Sequence, residues 1–384
     1  MKRKLLLVIN HMDWFWSHRF PLAKAAKDAG WDVVVAATGA DKDSALHEAG
    51  FKGISLTDLE STNSPIAVSR VLRQLNRILK EEKPTLMHAI TVKYAFLTGL
   101  ISKLNKEVAV VHTIAGVGYL FSGKFKPNVL RALVTPLIKV AFSNRESRLI
   151  FQNSDDRQTF IDLNYIKPEQ GIVIRSSGVD LTSFTAVPEP DGIPTVVMSG
   201  RLLHDKGFAV FVEAARKVHQ RGMAVNFKIA GRLMPDAPGA ISPKEMDAIL
   251  DRSPVEWLGH VDDMPAFFAN SHLMLYPSHY REGVPKVVIE AAATGRAIIT
   301  TDYIGCREAL VDGRNGISIP VKDPEAAANA VEKLLKNPEL RKRMGGESRK
   351  LMEEEFDVNV VVKRTLALYD KVCAERGSEP LLSN

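Results

Sequence analysis

Short runs rich in Val and Ile alternate with segments of helical period almost from end to end of the chain. No other feature constrains the fold more tightly. In the first half the strand candidates are "KLLLVIN", "DVVVAAT", "GISL", "TLMHAI", "VAVVHTI", "LIFQ" and "GIVIRS". Helical segments separate them, such as "SHRFPLAKAAKDAG", where Ser17 suits an N-cap and Gly30 a C-cap. Strands that are apolar on both faces, interleaved with helices, imply parallel sheets covered on both sides.

The alternation pauses at "TAVPEPDGIP" (185–194), which is rich in proline and acid and reads as a linker. A second series follows: "TVVMSG", "NFKIAG", "VEWLG", "LMLYPS", "AIITTD" and "GISIPV". At 384 residues the chain is too long for one ordinary core. The expectation is therefore α/β: two doubly wound, Rossmann-like parallel-sheet domains facing across a cleft, over residues 1–184 and 195–357. A last amphipathic stretch, 358–384, either packs locally or returns to the first domain. In such sheets ligands sit at the carboxyl ends of the strands.

No apolar run reaches the roughly 18–20 residues that span a bilayer, and "MKRKLLLVIN" turns apolar too briefly for a secretory leader. The two cysteines, Cys306 and Cys373, form no metal motif and fit a reducing cytosol. Charge is uneven: residues 1–185 carry 25 Lys and Arg against 17 Asp and Glu, the remainder 26 against 28. A basic first half points to an anionic partner, such as phospholipid headgroups or a pyrophosphate. No recognition motif supports nucleic acid.

Two glutamates in "SHYREGVPKVVIEAAATG", Glu282 and Glu290, look at first like an acid/base pair. However, Pro285 suits the first turn of a helix that Gly295 ends, so Glu282 lies on the loop before it and Glu290 within it. The N–H groups of Val284, Lys286 and Val287 at that helix start form an expected anion site. The arrangement suits a nucleoside diphosphate sugar, with phosphates at the helix end and one carboxylate each for sugar and ribose hydroxyls. In "VVMSGRLLHDKG", Gly200, Arg201 and Lys206 end the first strand of the second series. The two cations are spaced to converge on one diphosphate, the Arg as a fork and the Lys as a point charge. Stabilising a leaving diphosphate in this way is electrostatic catalysis.

Taken in order, "GRLLHDKG", "YPSHYREGVPKVVIEAAATGRAIITTD" and "GCREALVDGRNG" resemble glycosyltransferase family 4, retaining enzymes of the GT-B architecture. The resemblance implies that Arg201, Lys206 and Glu282 carry catalysis. It implies a donor site of Gly200, Arg201, Lys206, Tyr280, Glu282, Gly283, Val284, Pro285, Lys286 and Glu290, with Glu282 on the sugar and Glu290 on the ribose of a UDP-sugar. It further implies that no metal or other cofactor is required, and no Asp-x-Asp motif occurs. The last helix is implied to return to the first domain.

"HAITVKYAFLTGL", "IAGVGYLF" and "RSSGVDLTSF" are similar to the branch that adds an N-acetylhexosamine, of GalNAc or GlcNAc type, to an undecaprenyl-diphosphate-linked sugar. This implies O-antigen, capsule or glycoprotein glycan assembly. It also implies a cytoplasmic enzyme peripheral to the inner face of a bacterial plasma membrane, with a lipid-linked saccharide as acceptor. Ala115 stands before Gly116 where many members carry a His, and His112 lies three residues earlier. Trp14, Phe15, His18 and Arg19 are the acceptor candidates near the first strand. Tyr119, Lys124, Lys126 and Arg131 are candidates for acceptor or membrane contact. Two alternatives remain at this point: a transferase of the same fold with a soluble acceptor, and a catalytically silent nucleotide-sugar-binding assembly protein.

Overall fold

The computed structural model describes residues 3–59, 64–117, 127–234 and 237–376, and of 127–134 the backbone alone. Tyr119, Lys124 and Lys126 lie outside the described residues, and Arg131 falls in the helix Pro127–Phe142 where only the backbone is described. The chain forms two compact units, 1–177 with 359–384, and 178–358.

In the first unit seven strands pair in the order β3-β2-β1-β4-β5-β6-β7. They are β1 (Lys4–His11), β2 (Asp32–Thr38), β3 (Lys52–Ser55), β4 (Leu86–Ile90), β5 (Ala109–Ile114), β6 (Arg148–Phe151) and β7 (Gly171–Val173). The second unit has six, in the order β10-β9-β8-β11-β12-β13. These are β8 (Thr195–Ser199), β9 (Asn226–Ala230), β10 (Val255–Trp257), β11 (Leu273–Tyr276), β12 (Ala297–Thr301) and β13 (Gly316–Ile319). Every pairing between these strands is parallel, as apolar runs buried on both faces require.

Each sheet grows outward from its first strand in one direction, then resumes on that strand's other side. The switch points are thus β1/β4 and β8/β11, where the connections diverge and leave a crevice for ligands.

Helix starts follow the local chemistry. Ser64 Oγ accepts from Ala67 N at 3.1 Å ahead of the helix Pro65–Glu82, and Asp323 Oδ1 accepts from Ala326 N at 2.9 Å ahead of Pro324–Lys336. The expected helix capped by Ser17 is instead two helices, Met12–His18 and Phe20–Asp28. Pro21 fits the first turn of the second helix, and the chain breaks at Arg19. Ser17 lies inside the first of them, and its hydroxyl bonds back to Asp13 O at 2.5 Å.

Residues 185–194 are not a connector between units. Arg341 forks onto Glu189 at 2.7 and 2.9 Å, and Arg296 donates to Val187 O at 3.0 Å, which fastens this segment to the second unit. Chain composition marked the segment as a linker, but a buried bidentate ion pair holds it down. The chain passes between units at 177/178 and 358/359. There Val179 and Asp357 form a parallel bridge.

The helix Val358–Ala374 covers the first sheet. Leu368, Tyr369, Val372 and Cys373 are buried with Leu5, Leu7 and Ile9, and Arg3 pairs with Asp370 at 2.6 Å. Among the described residues, no helix is long and apolar enough to cross a membrane.

Candidate functional site

At the second switch point, β8 and β11 lie side by side, with Leu273 opposite Val196 and Met274 opposite Val197. Beyond β8 come Gly200, Arg201 and the turn His204–Lys206; beyond β11 comes the loop 277–285 and then the helix Lys286–Ala293. The sheet order therefore brings together two segments about seventy residues apart in sequence.

The two loops are fastened to each other. His279 N donates to Asp205 O at 2.8 Å, and Ser278 Oγ to the same carbonyl at 3.4 Å. Gly207 has φ +80°, and a Cβ there would fall 2.0 Å from Pro277 O, so only glycine permits this approach. From below, Thr300 Oγ1 donates to Tyr276 O at 2.7 Å, and Thr301 Oγ1 to Ser278 O.

Lys206 is the electrostatic centre of the arrangement. It is buried, donates to Tyr276 Oη at 2.7 Å and forms an ion pair with Glu282. Tyr276 Oη in turn donates to Glu282 Oε1 at 3.2 Å. The Lys206 ammonium also lies 4.9 Å from the Tyr280 ring centre, and the Arg201 guanidinium 5.8 Å from it. Arg201 is exposed, whereas Gly283, Val284 and Pro285 are buried behind the loop.

Pro285 stands at the cap position of the helix Lys286–Ala293, one residue before the expected start. Glu290 is buried in that helix, with Lys286 at 3.8 Å one turn earlier. Burial pushes its carboxyl up to about 7, against the pull of Lys286.

Beside this cluster the second unit holds a cavity of about 710 Å³. It is lined by Gly200 and Arg201, by Arg232 and Leu233 beyond β9, and by His260 and Val261 beyond β10. Nothing in local pattern flagged those last four residues, because their role depends on strand order. Tyr276 was also missed, although it is the single polar-tipped residue of an aliphatic strand. Among the described residues, no group of three or more His, Cys, Asp or Glu side chains has the geometry to hold a metal ion.

Gly305 is a further site residue that sequence reasoning passed over. Its φ is +85°, and a Cβ would fall 2.4 Å from Gly283 O and 2.6 Å from Glu282 O. Gly305→Ala is expected to push the Glu282 segment out of place, costing about 1–3 kcal/mol and about tenfold or more in turnover. Thermal denaturation together with kcat measures both effects; an unchanged kcat would separate Gly305 from the site.

The first-unit candidates are scattered differently. Trp14 is exposed and stacks on His18 at 4.7 Å between ring centres. Phe15 is fully buried, in edge contact with Phe20 and Phe51, so it belongs to the core and not to a binding face. His112 is also fully buried on β5 against Phe142, and desolvation lowers its pKa to about 3. It is a neutral histidine of the core. Gly116 follows β5 with φ +104°. Arg19 lies 7% exposed after the first helix.

Comparison with known proteins matches both units to family models. Residues 181–351 match "Glycosyl transferases group 1", and residues 4–154 match "Glycosyl transferase 4-like". A relative from Campylobacter jejuni, N,N'-diacetylbacillosaminyl-diphospho-undecaprenol alpha-1,3-N-acetylgalactosaminyltransferase, is 26% identical over 370 residues, which is 92% of this chain and 95% of that one. Among solved structures, a glycosyltransferase from Rickettsia africae aligns with a TM-score of 0.79 at 16% identity, covering 97% of this chain and 98% of that one. HepE from Anabaena, solved in complex with UDP, aligns with a TM-score of 0.75 at 17% identity, covering 96% of this chain and all of that one. With both sheets doubly wound and both units matched, the chain belongs to the family 4 glycosyltransferases of the GT-B fold.

Proposed function

We infer that this glycosyltransferase moves an N-acetylhexosamine from a UDP-sugar to a polyprenyl-diphosphate-linked saccharide, with retention of configuration and without a metal ion. The observation that carries the reading is the Lys206–Glu282–Tyr276 cluster beside Arg201 and the cavity at the β8/β11 switch point. In this reading the nucleoside occupies the cavity and the diphosphate meets Arg201, Lys206 and the start of the helix Lys286–Ala293. Glu282 holds the sugar and Glu290 the ribose. The developing charge on the leaving diphosphate is met by fixed protein cations, which takes the place of a divalent ion. Retention then follows from same-face substitution, in which a departing phosphate oxygen takes the acceptor's proton, and no protein nucleophile is assigned.

The lipid-linked acceptor is supported by the activity for which the Campylobacter relative is named and by the basic surplus of the first half. An inner-leaflet membrane surface as partner is supported by exposed Leu104, Leu137 and Val140, with Lys103 bonding Ser143 at 2.7 Å between their two segments. O-antigen, capsule or glycoprotein glycan assembly is the corresponding setting.

The deciding experiment is transfer in EDTA with a panel of UDP-sugars and detergent-solubilised polyprenyl-diphosphate saccharides, followed by lipid analysis. Addition of one N-acetylated sugar to the lipid supports the reading. Transfer only to a soluble sugar overturns the acceptor, and dependence on added divalent ion overturns the metal-free chemistry.

Glu290 adds a pH dependence. Its folded pKa of about 7 is raised above the ordinary 4.5, so between those values the native protein keeps a proton that the unfolded chain has lost. Its contribution to stability is present below about 4.5 and lost as pH rises through about 7, by up to about 3 kcal/mol. UDP affinity should do the opposite and rise through about pH 7, because the ionised carboxylate is the better acceptor for ribose hydroxyls. Glu290→Gln should flatten both curves, and Glu290→Ala should weaken UDP about tenfold. Calorimetric titration from pH 5.5 to 8.5 tests this; curves that coincide for wild type and variant would remove Glu290 from the nucleotide.

A further inference from the structure

Among the described residues, the first unit contains a buried cation with no counterion. Arg19 joins the helices Met12–His18 and Phe20–Asp28, and its N–H donates to Phe15 O at 2.8 Å. The side chain is only 7% exposed. Among the described residues, no carboxylate pairs with it, and its Nε has no hydrogen-bond partner. Tyr369 and His88 are the titratable groups coupled to its charge. Neither neutralises a guanidinium. Tyr369 is a phenol whose ionisation burial opposes. His88 is held neutral by burial, with Nδ1 at 2.5 Å from Tyr369 Oη and Nε2 at 2.7 Å from Thr113 Oγ1.

Other buried arginines of this protein are compensated. Arg341 forks onto Glu189, Arg3 meets Asp370, and Arg296 donates to four backbone carbonyls. Burying a charge without such partners costs stability, so its retention at one place needs a reason outside the fold itself. Desolvation, against an opposing pull from Tyr369, lowers the Arg19 pKa to about 10, which still leaves it charged at neutral pH.

Topology supplies the reason. Arg19 belongs to the connection leaving β1, and β1/β4 is the switch point of the first sheet, the place where doubly wound sheets take their ligands. Directly after β4 comes Thr91, at φ +80° and ψ 151°, held by an N–H bond to Thr113 O at 3.1 Å. That backbone conformation is nearly confined to glycine, and such strain gathers at binding sites.

We propose that Arg19 is the counter-cation for a phosphate or diphosphate group of the acceptor, bound in the first unit at the carboxyl end of β1. A guanidinium fork matches two phosphate oxygens at once and is less strongly hydrated than an ammonium, which suits a buried position. The donor's diphosphate already has Arg201 and Lys206 in the second unit, so an additional cation in the first, uncompensated among the described residues, serves the other substrate. This rests on the reading that the acceptor is diphosphate-linked.

Calorimetric titration of the full chain with farnesyl diphosphate, farnesol and UDP tests the assignment. Arg19→Met is expected to lose at least about tenfold in affinity for farnesyl diphosphate and to keep UDP within about twofold, while Arg201→Ala keeps farnesyl diphosphate within about twofold and weakens UDP by a smaller factor, less than about tenfold. Farnesol should bind wild type and Arg19→Met alike. Arg19→Lys keeps the charge without the fork and should recover part of the loss, and it serves if the Met variant does not fold. The Arg19→Met protein should melt no lower than wild type, because the removed charge had no carboxylate partner among the described residues to lose. A lower melting point with unchanged farnesyl diphosphate affinity would make Arg19 structural and overturn the proposal. Loss of UDP affinity instead would assign Arg19 to the donor and overturn it equally. If wild type ignores farnesyl diphosphate, inorganic pyrophosphate titrated into the Arg201→Ala protein decides: binding that Arg19→Met abolishes keeps the anion site and discards the prenyl-linked acceptor, and no binding discards both.

Discussion

Glu282→Ala should reduce sugar transfer by at least about a hundredfold while UDP still binds. The carboxylate accepts from Tyr276 Oη at 3.2 Å and neutralises Lys206, whose own side chain is only 6% exposed. Glu282 itself is half-buried on the loop, so one carboxylate sets both the charge balance of the cluster and the group presented to a sugar. Removing it leaves the Lys206 ammonium buried with a phenol as its remaining partner, at a cost of about 2–3 kcal/mol. In a domain of this size that lowers the melting midpoint by about 5–10 °C. Lys206→Met added to Glu282→Ala should restore much of that stability without restoring transfer, since it removes the stranded charge and not the defect in the site. Melting curves, UDP titration and turnover on the four proteins of this cycle are the measurements. Near-normal turnover in Glu282→Ala would take Glu282 out of the donor site altogether.

Arg201→Ala should behave differently: a loss of about a hundredfold to a thousandfold in kcat, with UDP weakened less than about tenfold. Arg201 is exposed, packs over Tyr280 and has no carboxylate partner among the described residues, so its removal should leave the unfolding free energy within about 0.5 kcal/mol of wild type. An effect on kcat that exceeds the effect on ground-state binding is the mark of a cation acting on charge that develops as the diphosphate leaves. Arg201→Lys should recover only part of the rate, because a point charge cannot contact two phosphate oxygens in the plane of a fork. Single-turnover rates in EDTA, set against UDP dissociation constants, distinguish the two effects. Equal losses in both would make Arg201 a binding residue with no special role in the transition state.

The two variants also separate the parts of the site by stability. Glu282 is tied into a buried network, and its loss should be visible by melting. Arg201 stands at the surface, and its loss should be visible only by kinetics. A site in which every substitution also unfolded the protein would not support assignment of roles from rates.

The amino-acid sequence alone determined the two parallel sheets. Thirteen apolar runs of strand length appear in chain order, and each is a strand in the structure. Burial on both faces leaves such runs no other stable arrangement. The glutamates eight positions apart were also legible as a loop residue and a helix residue, because Pro285 and Gly295 bound the helix locally. Local signals failed where long-range contacts outweighed them. Residues 185–194 look like a linker by composition, yet Glu189 finds Arg341 152 positions away and the segment is fixed. The pairing of Lys206 with Glu282 spans 76 positions and depends on β8 lying next to β11. The cavity lining at 232–233 and 260–261, the clamp of Gly305 on the Glu282 segment, and the inward face of Phe15 have the same origin. Propensity and spacing act over a turn or two of chain, and they decided the elements. Which loops meet, and which buried charges find a partner, follows from strand order and packing, and only the tertiary structure decided that.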